Sequence, residues 1–169
     1  LFLTPEVIYI LGGKQYMDAI YCLPPLIVSC VVQLIYTMYV NVEFYMKKTF
    51  SVSVATMIAT AANIILNFIF IPLNKEWGFV IAAYTTLAGY LLLFLIHYML
   101  VKKLNMTFVF DTKFLIIVIA SILAISGLTN VLYGFTILRY IVVALYAIVV
   151  GFIGYRHKDM LLKMVKKNV

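Results

Sequence analysis

The stretch Thr49–Leu73, TFSVSVATMIATAANIILNFIFIPL, runs for 25 residues without a charge. At ~1.5 Å of rise per residue, such a helix crosses a hydrocarbon layer ~30 Å thick with length to spare. It is not uniformly apolar. Ser53, Thr56, Thr60, Asn63 and Asn67 recur at steps of three, four, three and four, which puts all five on one helical face. An amide in lipid is costly unless it meets protein or water. This face must therefore look inward, toward helices that the rest of the chain supplies.

Composition agrees. The 169 residues are 66% hydrophobic and 11% charged, with a mean hydropathy of +1.11. These values exclude an ordinary soluble domain and fit an all-α, polytopic transmembrane bundle. The net charge of +7 comes without a basic run interleaved with aromatics. Nucleic acid is therefore set aside as a partner, and the excess charge is read as a report of orientation. Cys22 and Cys30 lie eight positions apart on one apolar stretch. That is ~12 Å along a helix, too far for a disulfide, so both are expected to be small core residues.

Upstream, Leu1–Leu11 reads as the end of a preceding transmembrane helix that Gly12-Gly13 stops, giving a first segment 1–13. The chain is accordingly expected to be the C-terminal piece of a longer protein. Five full spans are expected to follow. The first covers about Asp18–Tyr45, with Asp18 as its N-cap and Pro24-Pro25 as a kink inside it. Ser29, Gln33 and Thr37 give it a polar face of its own. The second span is the opening stretch. The third, Gly78–Val101, carries small residues at Gly78, Ala82, Thr86 and Gly89, a stripe suited to close helix approach. The fourth, Phe114–Tyr133, has Ala120, Ala124 and Gly127, and the fifth, Ile137–Tyr155, has Ala144, Ala147, Gly151 and Gly154. These two make up an additional pair in 104–155, and a basic tail occupies 156–169.

The cations divide unevenly between the two ends of these spans. Lys47, Lys48, Lys102, Lys103, Lys113, Arg156, Lys158, Lys163, Lys166 and Lys167 fall on one side, and Lys14, Lys75 and Arg139 on the other. The rule that cytoplasmic loops are enriched in Lys and Arg places the Lys47-Lys48 turn and the C-terminus in the cytoplasm.

No enzyme is expected. The acidic residues Glu6, Asp18, Glu43, Glu76, Asp111 and Asp159 stand mostly at span ends or in turns, and no two carboxylates have catalytic spacing. His97 stands close to the Lys102-Lys103 pair and reads as interfacial, while His157 belongs to the tail. Neither catalytic, metal nor cofactor-binding residues are identified, and no cofactor is expected. The candidate substrate-facing residues are instead Gln33, Thr56, Thr60, Asn63, Asn67 and Arg139. Gln33, Asn63 and Asn67 both donate and accept hydrogen bonds without carrying charge. Two readings stand for them: glue between helices, or the wall of a polar cavity. Arg139 reads either as snorkelling to headgroups or as a contact to a pyrophosphate-bearing lipid.

Four motifs in series carry a family resemblance: PEVIYILGGKQY at Pro5–Tyr16, KKT at Lys47–Thr49, NIILNFIFIP at Asn63–Pro72 and G-x-x-x-AAYTTLAGY at Gly78–Tyr90. In order and spacing they resemble the polysaccharide flippases of the multidrug/oligosaccharidyl-lipid/polysaccharide exporter superfamily. The resemblance implies two six-helix lobes around a cavity that opens to one side at a time. Residues 14–103 would be the last three helices of the second lobe, and 104–155 the extra pair of longer members. The implied cargo is an undecaprenyl-pyrophosphate-linked oligosaccharide, moved to the outer leaflet of a bacterial plasma membrane for surface polysaccharide synthesis. The implied partners are that lipid-linked glycan, membrane lipids, a coupling proton or sodium ion, and the N-terminal lobe of the same protein. The charged cavity residues that such members use have no recognisable counterparts here. A cation-coupled multidrug antiporter of the same superfamily and a non-transporting scaffold of a glycan-assembly complex are the alternatives.

Overall fold

The computed structural model describes residues 1–106 and 109–156, with side chains at all of these except 153 and 154. The expected basic tail beyond Arg156 lies outside the described residues. Among the described residues the fold is all-α: 89% of them are helical and none lies in a strand. The described residues fold as two compact units, Leu3–Asn130 with Leu1, and 131–156 with Phe2.

In the larger unit, α1 (Thr4–Gly12) starts with Pro5 in its first turn and stops at Gly13. Gly13 has φ 81°, a value glycine adopts without a Cβ penalty, and its N–H closes on the Tyr9 carbonyl at 3.0 Å. A 3-10 segment over Lys14–Tyr21 leads into α2 (Leu23–Tyr45). The start of α2 corrects the expected kink. Pro24 and Pro25 stand in its first turn, where the missing N–H groups have no carbonyl to lose, so they begin the helix instead of bending it. Asp18 lies within the 3-10 segment and caps nothing. The cysteines are both free; Cys22 is half-buried, with burial pushing its thiol up, while Cys30 is exposed and not in the core.

The helices α3 (Thr49–Phe70), α4 (Gly78–Lys103) and α5 (Thr112–Leu132) follow, with short 3-10 turns at Ile71–Leu73 and Lys75–Trp77 between α3 and α4. The core is the seam between α2 and α4. Tyr36 stacks on Tyr90, Tyr39 meets Phe94 edge-on and Glu43 bonds His97, each pair 54 or 55 positions apart. A constant offset means that the two helices run parallel. Val28, Val32, Tyr39 and Val101 are completely buried along this seam, and Ile119 of α5 joins the same cluster. By contrast, α3 buries only Ala55 and Ala59. The stretch most legible as a span is thus peripheral within this unit.

Both core helices end in the same cap. Lys47 (φ 56°) and Asn105 (φ 54°) adopt the left-handed conformation. Lys48 N–H reaches back to the Glu43 carbonyl at 2.8 Å and Met106 N–H to the Val101 carbonyl at 3.2 Å. These six-to-one bonds satisfy carbonyls that a helix end would otherwise leave bare. Asn tolerates the conformation through its short polar side chain, whereas Lys does so at a cost.

The second unit holds α6 (Thr136–Arg156). Here the structure corrects the span count. Among the described residues four helices, α2 to α5, are long and apolar enough to cross a membrane, not five. In α6 the apolar helix is Thr136–Phe152.

Two outcomes are expected. Lys47→Gly relieves the left-handed strain and raises stability by about 1 kcal/mol in chemical unfolding from detergent micelles. Single cysteines replacing Lys47 and Lys103 become labelled by an impermeant thiol reagent from one face of a vesicle, and one replacing Lys75 from the opposite face.

Candidate functional site

The polar face of α3 divides into two parts. Toward its C-terminal end it is glue. The Asn63 amide donates to the Thr85 carbonyl of α4 at 2.9 Å, and the Asn67 amide donates to Asn63 Oδ1 at 3.0 Å. The Thr85 hydroxyl closes the loop by donating to Asn67 Oδ1, with the Ala82 carbonyl at 3.0 Å as its competing acceptor. Asn67 therefore spends its amide on α3 and α4 themselves. Gly89 lies beneath this network: a Cβ there would stand 3.5 Å from Asn63 Nδ2, ordinary contact. The small-residue stripe makes its tightest approach at Gly78, whose added Cβ would meet Ile71 Cγ2 at 3.2 Å. A Cβ on Gly127 of α5 would meet nothing, so that glycine is not spent on close approach.

Toward the N-terminal end of α3 the same face opens. Thr56, Ala59, Thr60 and Asn63 form one wall of a cleft of about 310 Å³, and Thr86, Gly89, Tyr90 and Leu93 of α4, with Tyr36 of α2, form the other. Its size lies within the range of ligand pockets, ~300–1,000 Å³. Thr56 and Thr60 are exposed there. Thr56 returns its hydroxyl hydrogen to the Val52 carbonyl at 3.0 Å, which leaves its oxygen lone pairs to the cleft. The Tyr36 and Tyr90 rings stack at 6.0 Å and 21°, giving the cleft an aromatic flank.

Of the candidates read from sequence, Thr56, Thr60 and Asn63 come together in this cleft. Asn67 stands one turn beyond, in the hydrogen-bonded network. Gln33 is exposed on α2 outside the cleft, its carbonyl accepting from the Thr37 hydroxyl at 2.7 Å. Arg139 belongs to the second unit, where its guanidinium lies 5.4 Å from the centre of the Tyr140 ring.

The structure adds a pair that the sequence reading passed over. His97 Nδ1 and Glu43 Oε1 are 2.6 Å apart, and both side chains have no solvent exposure. Tyr36 stacks on the imidazole at 5.7 Å and 12°. The outward atoms of the pair, Glu43 Oε2 and His97 Nε2, are buried and have no hydrogen-bond partner among the described residues. The reading of His97 as interfacial rested on its distance from Lys102. The available signal was that Glu43 stands four residues before Lys47 and His97 five before Lys102. In parallel helices, similar distances from the closing lysines mean similar depth. Among the described residues, no group of three or more His, Cys, Asp or Glu side chains is placed to hold a metal ion.

The Asn67–Thr85 contact is expected to show a coupling energy of about 0.6–2 kcal/mol in an Asn67→Leu, Thr85→Val double-mutant cycle read by thermal unfolding. Comparison of the chain with protein-family models, with curated proteins and with solved structures gave no match in any of the three.

Proposed function

We propose that the chain is the C-terminal segment of a bacterial plasma-membrane flippase, with its C-terminus in the cytoplasm. The flippase carries undecaprenyl-pyrophosphate-linked oligosaccharide units to the outer leaflet by alternating access, for surface polysaccharide synthesis. The observation that carries this reading is the cleft: hydroxyls, an amide and two stacked tyrosines facing one another between helices of spanning length. A glycan crossing bare hydrocarbon would lose its hydrogen bonds to water, each at a cost of several kcal/mol. A side-open polar groove lets the head group pass hydrated while the prenyl tail stays among acyl chains. Uncharged donors and acceptors suit this task, since they bind hydroxyls without trapping them as an ion would. Flat tyrosine rings suit the apolar faces of sugars. The four sequence motifs in series point to the same family. An N-terminal lobe of the same protein would supply the facing wall, and no cofactor is required.

The test is glycan export by cells whose full-length protein carries Thr60→Trp, with Thr60→Ser as the control. Filling the cleft is expected to lower surface polysaccharide about tenfold or more, an added barrier of at least ~1.4 kcal/mol, while Thr60→Ser exports normally. Undiminished export by Thr60→Trp at normal protein abundance overturns the reading in favour of a scaffold. Dye efflux without a glycan phenotype overturns it in favour of drug export.

A further inference from the structure

We propose that Glu43 and His97 form an intramembrane proton-loading site whose occupancy is read at the cleft through Tyr36. The inference rests on the cleft being the transport path described above, and it names the ion that drives it.

The argument begins with hydrogens. In water above about pH 6.5, a glutamate and a histidine are a carboxylate and a neutral imidazole, with net charge −1 and one exchangeable hydrogen between them. In the structure the pair is sealed: both side chains have no exposure, and Oε2 and Nε2 find no partner among the described residues. A lone net charge in such a place is expensive, whereas a net-neutral pair is tolerable. The neutral pair holds two exchangeable hydrogens, one between Nδ1 and Oε1 and a second on the outward edge. Sealing the pair therefore takes up one proton from the adjoining water, and opening it returns that proton. Only N–H and O–H bonds change.

Among the described residues, the titratable side chains of α2 and α4 that flank the pair are the phenols Tyr36 and Tyr39 of α2 and Tyr90 and Tyr98 of α4, while Cys30, Tyr45 and Tyr84 on the same helices are exposed. The α3 helix contributes no titratable group, and the nearest charged residues by sequence, Lys47, Lys48, Lys102, Lys103, Asp111 and Lys113, are exposed. Thr112, at the start of α5, offers the Tyr39 phenol a hydroxyl acceptor at 3.3 Å. Sodium does not suit the site: it needs several oxygen ligands, and here one carboxylate faces an imidazole.

Tyr36 links the pair to the path. Its ring stacks on His97 at 5.7 Å and on Tyr90 at 6.0 Å, and it lines the cleft itself. A change of charge on the imidazole changes what that ring stacks against, and so the wall that the cargo meets. The sign follows from the count. The sealed conformation binds one proton more than the open one, so it loses ground as pH rises.

The experiment uses the full-length protein in lipid vesicles, without cysteines except Thr60→Cys, which carries a nitroxide. Its accessibility to a water-soluble nickel chelate is followed from pH 6 to pH 8.5. Accessibility is expected to rise with pH in this parent and to stay flat in Glu43→Gln, whose amide oxygen still accepts from Nδ1–H, and in His97→Asn, whose amide still donates to Oε1. A flat parent, or an undiminished slope in either variant, overturns the proposal. No glycan is present in this measurement. A pH slope together with normal export by Thr60→Trp would sink the flippase reading and spare the proton site, and the reverse combination would do the opposite.

Discussion

A carboxyl and an imidazole share a hydrogen across 2.6 Å where two parallel helices meet, and neither side chain has any exposed surface. That bond sets the register of α2 against α4. With Glu43 opposite His97, Tyr39 falls against Phe94 and Tyr36 against Tyr90, so the aromatic ladder follows from one polar contact. Apolar surfaces slide past one another at little cost inside a membrane, because lipid is as oily as leucine. A buried pair of opposite polarity does not slide: moving it by one turn leaves two desolvated groups alone, at several kcal/mol. Both helix ends are closed by the same six-to-one cap, that of α4 about one turn beyond that of α2.

The remaining helices are fitted to that seam. On one side, α5 adds Ile119 and its apolar neighbours. On the other, α3 adds hydrogen bonds from two asparagines and buries two alanines. The cleft exists because α3 is held off α4 at the level of Thr56 and Thr60 and drawn onto it at the level of Asn67. Tyr36 belongs to both regions, stacked on the buried imidazole and exposed to the cleft, and it is the shortest path between the one titratable pair of the seam and the open polar wall.

The asparagines of α3 were legible in the sequence because an amide in a 25-residue uncharged run has few places to go. A periodic pattern gives the face but not the neighbour, so the choice between glue and cavity awaited Thr85. Glu43 and His97 were each readable as ordinary ends of spans. Only their pairing makes them unusual, and pairing across 54 positions is a property of packing, not of local pattern. The proline pair misled for a related reason. Its effect depends on whether the preceding turn is helical, and a 3-10 segment ending at Tyr21 is not an α-helical turn to be broken.

The uneven attachment of α3 has a mechanical consequence. Its interhelical hydrogen bonds to α4 sit at Asn63 and Asn67, while nearer its N-terminus it buries only the methyl groups of Ala55 and Ala59. A rod riveted at one end and resting on smooth, shallow bumps at the other is a lever. Swinging its loose end by a few degrees widens or narrows the groove beside Thr56 while every rivet stays in place, so the aperture is adjustable without any helix being unmade.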